Sequence, residues 1–250
     1  MTTQSIFVTG TDTNVGKTTI TAALVLALRQ QGKAVGIFKP LETGVNVDAL
    51  EHSDTERLRH LLSPPPPFEE VCLYAFPQPL APLAAARETR TNIQLSRICS
   101  HIERLSQYYA FLLIEGAGGL LTPVTPQDTV RDLIALLKMP CIIVGHTDIG
   151  SVNHCLLTME TLWHASIPIC GVLLNESRAP NQNPFGRIQR DSSVQLIREW
   201  AGVPVFGPIG FIQTVETHWR EGIKQLSENS EIQRLATHLT QGGRDSRLLP

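Results

Sequence analysis

Several familiar signatures are missing from this 250-residue chain. There is no excess of either charge: 21 Lys and Arg stand against 23 Asp and Glu, for a net charge of −2. That balance argues against a nucleic-acid or anionic-membrane surface, which carries a basic stripe. Cysteine is sparse and scattered, at Cys72, Cys99, Cys141, Cys155 and Cys170, with no CxxC pair. Such a set argues against a disulfide framework or a zinc ribbon and fits buried thiols in a reducing compartment. The eight histidines show no metal-ligand spacing. No apolar run reaches the roughly 18 residues needed to span a bilayer. The opening MTTQSIFVTG lacks the basic-then-apolar build of a secretory leader, so the expected location is the cytoplasm. What remains is a chain 42% hydrophobic and only 18% charged, able to bury a sizeable core.

The apolar residues cluster in short runs: Ile6–Val8, Val35–Phe38, Phe111–Ile114, Cys141–Val144, Ile169–Leu174 and Val205–Phe206. None alternates with polar residues, which is how strands read when helices cover both faces of a parallel sheet. Between them lie helical stretches. Lys17–Gln31 carries apolar residues at helical spacing and stops at Gly32, a natural C-terminal glycine. Helical patterns also occupy part of Asn92–Gln107, then Thr129–Lys138, Ser151–Ala165 and Asp191–Trp200. The βαβα order predicts an α/β fold with a doubly wound, mostly parallel sheet. Residues 1–241 read as one domain, Pro64–Pro67 as a stiff surface loop, and residues 242–250 as a loosely ordered tail.

The strongest signal is Phe7-Val8-Thr9-Gly10-Thr11-Asp12-Thr13-Asn14-Val15-Gly16-Lys17-Thr18-Thr19. A strand runs into a loop, and the loop into a helix, so that backbone N–H groups converge on a phosphate chain. Lys17 then reaches the outer phosphates, and the Thr18 hydroxyl is a magnesium ligand. The usual pattern, GxxxxGK[ST], places a glycine at position 11, whereas here the glycine lies one residue earlier, at Gly10.

Weaker candidates surround this loop. Glu115 ends a strand and opens Glu115-Gly116-Ala117-Gly118-Gly119, where a second magnesium ligand is expected. Asp54 alone reads better as a helix-start acid, whereas Lys39 alone reads equally as a lysine that meets phosphate or carboxylate at a strand end and as a snorkelling one. Asp148-Ile149-Gly150-Ser151-Val152-Asn153-His154 begins a helix, and reads either as an anion site or as a simple Ser151 cap. Asn175 reads as either a base-reading amide or a turn residue. His154 reads as a packed helical residue, and Trp163, Trp200 and Trp219 as core or interface.

Together these elements resemble dethiobiotin synthetases. The likeness rests on Gly10–Thr18, Lys39-Pro40-Leu41-Glu42-Thr43-Gly44, Ser53-Asp54, Glu115–Gly119, Asp148–His154 and Leu174-Asn175, in the family's order, and spans Ile6 to Ile212. The resemblance implies a P-loop fold and an ATP- and Mg2+-dependent ligase of biotin biosynthesis. Such an enzyme joins 7,8-diaminopelargonate and CO2 into dethiobiotin, with ADP and phosphate as the other products. It assigns magnesium to Thr18, Asp54 and Glu115. ATP falls to Thr13, Asn14, Val15, Gly16, Lys17, Thr18, Thr19, Asp54 and Glu115, with Gly116, Ala117 and Gly118. On the adenosine side it adds Asn175 and Glu176 together with Gly210, Phe211 and Ile212. Lys39 and Lys17 become catalytic, and Thr43 meets the diamine. It also implies a homodimer in which Gly150, Ser151, Val152 and Asn153 of one subunit hold the substrate carboxylate of the other. Asn14, where an acid is common, and Gly210, where proline is usual, depart from the family pattern. The alternatives are relatives sharing the loop: a cobyrinate-type amidase, a partitioning ATPase acting as a switch, or a non-catalytic nucleotide-binding regulator. The chain is too short for the amidase's glutaminase domain and lacks the switch's early lysine at Thr11–Thr13.

Overall fold

The apolar runs become parallel strands. In the computed structural model, which describes residues 3–179 and 184–241, eight strands form. They are β1 (Gln4–Gly10), β2 (Val35–Phe38), β3 (Leu41–Thr43), β4 (Tyr74–Phe76), β5 (Phe111–Gly119), β6 (Cys141–Gly145), β7 (Ile169–Asn175) and β8 (Val205–Ile209). Six make one parallel sheet in the order β2-β5-β1-β6-β7-β8, with β1 central. β3 and β4 pair separately, also in parallel.

Both faces of the large sheet are dry, which is why its strands carry no polar alternation. Ile6, Val8, Leu113 and Ile142 point into one core, and Phe7, Leu112, Ile114 and Ile143 into the other. The first core is closed by α1 (Lys17–Gln30), whose Ile20, Leu24, Ala27 and Leu28 are all fully buried. The second is closed largely by four helices that follow in sequence. Between α1 and these lie a 3-10 turn (Val47–His52), α2 (Asp54–Arg59), α3 (Phe68–Val71) and α4 (Pro82–Glu88). The four are α5 (Leu95–Leu105), α6 (Val130–Leu137), α7 (Ser151–His164) and α8 (Gly186–Trp200). After β8 come α9 (Gln213–Thr217), α10 (Trp219–Ser227) and α11 (Ser230–Thr240), and the last two return to pack on α1.

The predicted doubly wound sheet is present. α8 starts five residues before the expected Asp191 and continues to Trp200. α6 is capped by Thr129, whose backbone N–H and hydroxyl both donate to Asp132. Gly32, just past α1, adopts φ +76°, as its position predicts. Trp200 does not join the core, being 68% exposed. His154 is exposed on α7 rather than packed. The expectation for residues 242–250 falls outside the described residues. Among the described residues no helix is long and apolar enough to cross a membrane.

Cys72, Cys141, Cys155 and Cys170 are buried, and Cys99 is half-buried. Burial pushes the Cys72 thiol up to about 11 and Cys155 to about 12. The thiolate is the reactive form. Iodoacetamide at pH 8 is therefore expected to modify Cys99 first in the native protein and the other four only after denaturation, read by peptide mass spectrometry.

Candidate active site

The site lies where β1, β2 and β5 end. β1 turns sharply at Gly10, and a Cβ there would sit 2.7 Å from Val15 Cγ2 and 3.1 Å from Lys17 Cδ. The glycine one residue earlier than the usual pattern is thus the position where the loop folds back on itself. The Thr11 N–H donates to the Val144 carbonyl at 2.9 Å, tying the loop to β6. Asn14 and Gly16 both take left-handed backbone, at φ +59° and +92°. Val15 is buried beneath them, while Thr13 and Asn14 are exposed. Asn175, at the end of β7, donates its Nδ2 to the Val15 carbonyl at 2.9 Å. Its amide nitrogen therefore braces the phosphate loop. Ser177 donates to the Asn14 carbonyl at 3.0 Å, a second brace from the same segment.

Lys17 is buried, and its Nζ donates to the Asp12 carbonyl at 2.8 Å. Burial lowers its pKa to about 8, against the opposing pull of Glu115. An ammonium held so weakly in its charged form gains most from an anion placed beside it.

Strand register brings the other charges together. β2 pairs with β5 so that Phe38 lies opposite Ile114, which puts Lys39 beside Glu115. β1 pairs with β5 so that Val8 lies opposite Glu115. Glu115 is fully buried and Lys39 nearly so. Lys39 Nζ meets Glu115 Oε1 at 2.5 Å and Asp54 Oδ2 at 2.9 Å. Burial alone would lower the Lys39 pKa, but Glu115 and Asp54 outweigh it and hold the amine charged. Burial likewise works against ionisation of Asp54, and Lys39 with the Thr18 hydroxyl overcomes it, so the carboxyl sits below its ordinary value. Asp54 heads α2, as its sequence context suggested, yet its side chain also reaches this cluster.

The Thr18 hydroxyl faces both carboxylates, at 3.0 Å from Asp54 Oδ2 and 2.7 Å from Glu115 Oε1. It has one proton, so it satisfies one of them at a time. Glu115 Oε2 is buried with no hydrogen-bond partner. Acceptors thus outnumber donors at a point beside the phosphate loop. One hydroxyl and two carboxylates suit magnesium, which typically takes one or two protein carboxylates and completes its shell with water and phosphate. Among the described residues no group of three His, Cys, Asp or Glu could hold a metal alone.

Glu42 was missed by the sequence reading. It is buried on β3, and burial pushes its carboxyl up against the pull of Lys39 and of hydrogen bonds from Thr55. Its neighbour Thr43 ends the strand, partly open. On the far side of the loop, Asn175, Glu176, Gly210, Phe211 and Ile212 line one pocket together with Thr19. Five residues expected near adenosine therefore share a cavity with the start of α1. Glu176 is fixed there by its N–H to the Ile209 carbonyl at 2.8 Å. Gly116 sits where a Cβ would strike the Phe7 ring at 2.7 Å, and Gly118 has φ +68°, so Ala117 is the one position of the three that tolerates a side chain. At the head of α7, Gly150 with φ +91° is the cap and Ser151 the first helical residue. The simple Ser151 cap is absent: its hydroxyl is buried without a partner. Val152 is partly exposed and Asn153 exposed.

Comparison with known proteins separates the possible relatives. Residues 4–218 match a family described as an AAA domain. The ATP-dependent dethiobiotin synthetase BioD of Anaeromyxobacter dehalogenans (strain 2CP-C) is 44% identical over 182 residues, 72% of this chain and 80% of that protein. That of Nitrosopumilus maritimus (strain SCM1) is 34% identical over 211 residues, covering 84% and 90%. The chain belongs to the dethiobiotin synthetase family. In fold, this synthetase-family chain is also similar to the MinD cell-division protein in its MinC:MinD complex from Aquifex aeolicus. The TM-score there is 0.61 at 16% identity, covering 95% and 96% of the two chains. Cobyrinic acid a,c-diamide synthase from Mycobacterium smegmatis gives 0.53 at 17%, covering 99% and 98%. Those likenesses show the P-loop NTPase fold, common to the switch and amidase alternatives. The family, an ATP-dependent ligase of biotin biosynthesis, is set by the sequence relatives.

Proposed function

We infer that this chain closes the ureido ring of dethiobiotin from 7,8-diaminopelargonate, CO2 and ATP, with Mg2+, releasing ADP and phosphate. The observation that carries the reading is the convergence of Thr18, Lys39, Asp54 and Glu115 on one point beside the phosphate loop. The chemistry needs charge more than it needs a nucleophile. One amine takes up CO2 as a carbamate, and a carbamate oxygen attacks the γ-phosphate. The second amine then attacks the mixed anhydride, closing the ring and expelling phosphate. The attack of carbamate on ATP brings two anions together and ring closure expels a third, and fixed cations are the protein's means of lowering those barriers.

Lys17, in the loop, would meet the outer phosphates, and Lys39, at the strand end, would meet the carbamate and the phosphoryl group in transit. Thr18, Asp54 and Glu115 would hold magnesium, which when bound neutralises phosphate charge and orients the phosphates. Asn175, Glu176, Gly210, Phe211 and Ile212 would receive the adenosine, and Gly116 to Gly118 would let backbone approach the phosphates. Thr43 would contact the diamine from β3. The buried, unpartnered Ser151 hydroxyl and the α7 N-terminus, with Val152 and Asn153, suit a carboxylate supplied across a homodimer interface. Ile149 next to it is 79% exposed, as a residue buried only on dimerisation would be. Sedimentation velocity at micromolar concentration is expected to give twice the chain mass, and a monomer would remove the cross-subunit part.

The catalytic part is tested with 13C-bicarbonate, ATP, Mg2+ and the diamine. Mass spectrometry is expected to find one labelled carbon in a cyclic urea. A product without label would overturn the reading.

A further inference from the structure

The geometry points to Glu42 as a positioning residue that sets the magnesium affinity of this site by fixing Asp54. The inference rests on Asp54 being a metal ligand as read above. Glu42 Oε1 accepts the Asp54 backbone N–H at 2.7 Å, and Oε2 accepts the Thr55 N–H at 2.9 Å and the Thr55 hydroxyl. Both Glu42 and Thr55 are buried. Three donors thus point at one carboxylate, and all three belong to Asp54 or its neighbour.

Asp54 needs such an anchor. The segment before it, from Gly44 through the 3-10 turn, crosses the surface, with Val47 70% and Leu50 40% exposed. The backbone at 53–55 is otherwise tied locally: the Ser53 N–H donates to the Leu50 carbonyl at 2.8 Å, and the Ser53 hydroxyl oxygen accepts from the Glu56 N–H at 3.1 Å. Those bonds shape the turn but do not tie it to a strand. Glu42 does, because it sits on β3, which pairs with β4 in the small separate sheet with Glu42 opposite Ala75. The Glu42 carboxylate holds the Asp54 backbone from one side, while the Asp54 carboxylate meets Thr18 and Lys39 on the other. Glu42 also adjoins Thr43, so one short strand carries both the expected diamine contact and the anchor of a metal ligand.

A glutamine cannot fully replace it. Its single oxygen accepts from one end, and its NH2 is left facing a backbone N–H, donor against donor. The effect therefore grades from Glu to Gln to Ala.

The test is the Mg2+ concentration that half-restores ADP binding, followed by calorimetry on the full chain, with binding in EDTA as the metal-free baseline. Removing partners that orient metal ligands typically costs about 10–100-fold in metal affinity. Glu42→Ala is expected to raise the Mg2+ midpoint by about that factor, and Glu42→Gln by less, with ADP binding in EDTA unchanged. A purely structural role would lower melting temperature and leave the midpoint of the folded fraction alone. A folded Glu42→Ala with the parental midpoint overturns the inference, and if that variant does not fold, a parental midpoint in the isosteric Glu42→Gln does so. Asp54→Asn separates the levels. If it raises the midpoint and the Glu42 variants do not, only the anchoring idea fails. If Asp54→Asn leaves it unmoved, the metal assignment fails and the inference with it.

Discussion

Lys39→Ala is expected to keep ADP and ATP binding while losing about 10²–10³-fold in turnover, roughly 3–4 kcal/mol of transition-state stabilisation. The amine lies at the carboxyl end of β2 and is held charged by Glu115 and Asp54. Lys39 donates no hydrogen bond to the Thr13–Thr19 loop and meets Thr18 only through the carboxylates they share, so nucleotide affinity is expected to change far less than turnover. The same substitution carries a second signature. Lys39 supplies the charge that balances a fully buried Glu115. Removing one partner of a buried pair typically costs about 3–5 kcal/mol. For a chain this size that is roughly 6–20 °C of melting temperature. Magnesium held as proposed would bring charge to the same carboxylates, so the variant is expected to gain more thermal stability from Mg2+ than the parent does. Parental turnover in Lys39→Ala would remove it from catalysis, and an equal Mg2+ gain in both proteins would remove its balancing role.

Gly16→Ala is expected to be the most damaging change in the phosphate loop. Two costs coincide there. The backbone sits at φ +92°, a region that costs a residue with a side chain about 1–3 kcal/mol. A Cβ would also stand 2.3 Å from Asn175 Nδ2, which donates to the Val15 carbonyl. Relief requires either Asn175 or the loop to move. A displacement near 1 Å can cost roughly 100-fold in rate, so kcat/KM is expected to fall by about that factor or more. Steady-state kinetics with ADP calorimetry reads both effects. Parental affinity and rate in a folded Gly16→Ala would mean the loop tolerates what the geometry forbids.

The large sheet was legible in the sequence because parallel strands covered on both faces are continuous apolar runs, as Cys141–Val144 is. β3 and β4 were not, since three residues such as Leu41-Glu42-Thr43 carry no period. α10 and α11 were legible but unread: Ile232, Leu235, Ala236 and Leu239 are buried at helical spacing. The phosphate loop could be read locally because strand, loop and helix are contiguous. Asp54 and Lys39 could not, because register and tertiary packing bring them to Glu115, and only the family likeness singled them out. Asn175 was placed at the nucleotide, and its amide nitrogen proved to be bound to the loop itself. Glu42 had no local signal, since its three donors come from Asp54 and Thr55, 12 and 13 residues away in sequence.

Phosphate release is the most direct test of the central claim. The chain is mixed with ATP, Mg2+ and bicarbonate, with and without 7,8-diaminopelargonate, and phosphate is measured alongside the cyclic urea. Release that requires the diamine and matches the urea mole for mole is the expected result. Release indifferent to the diamine, with no urea formed, would contradict the synthetase and leave a P-loop ATPase that works as a switch.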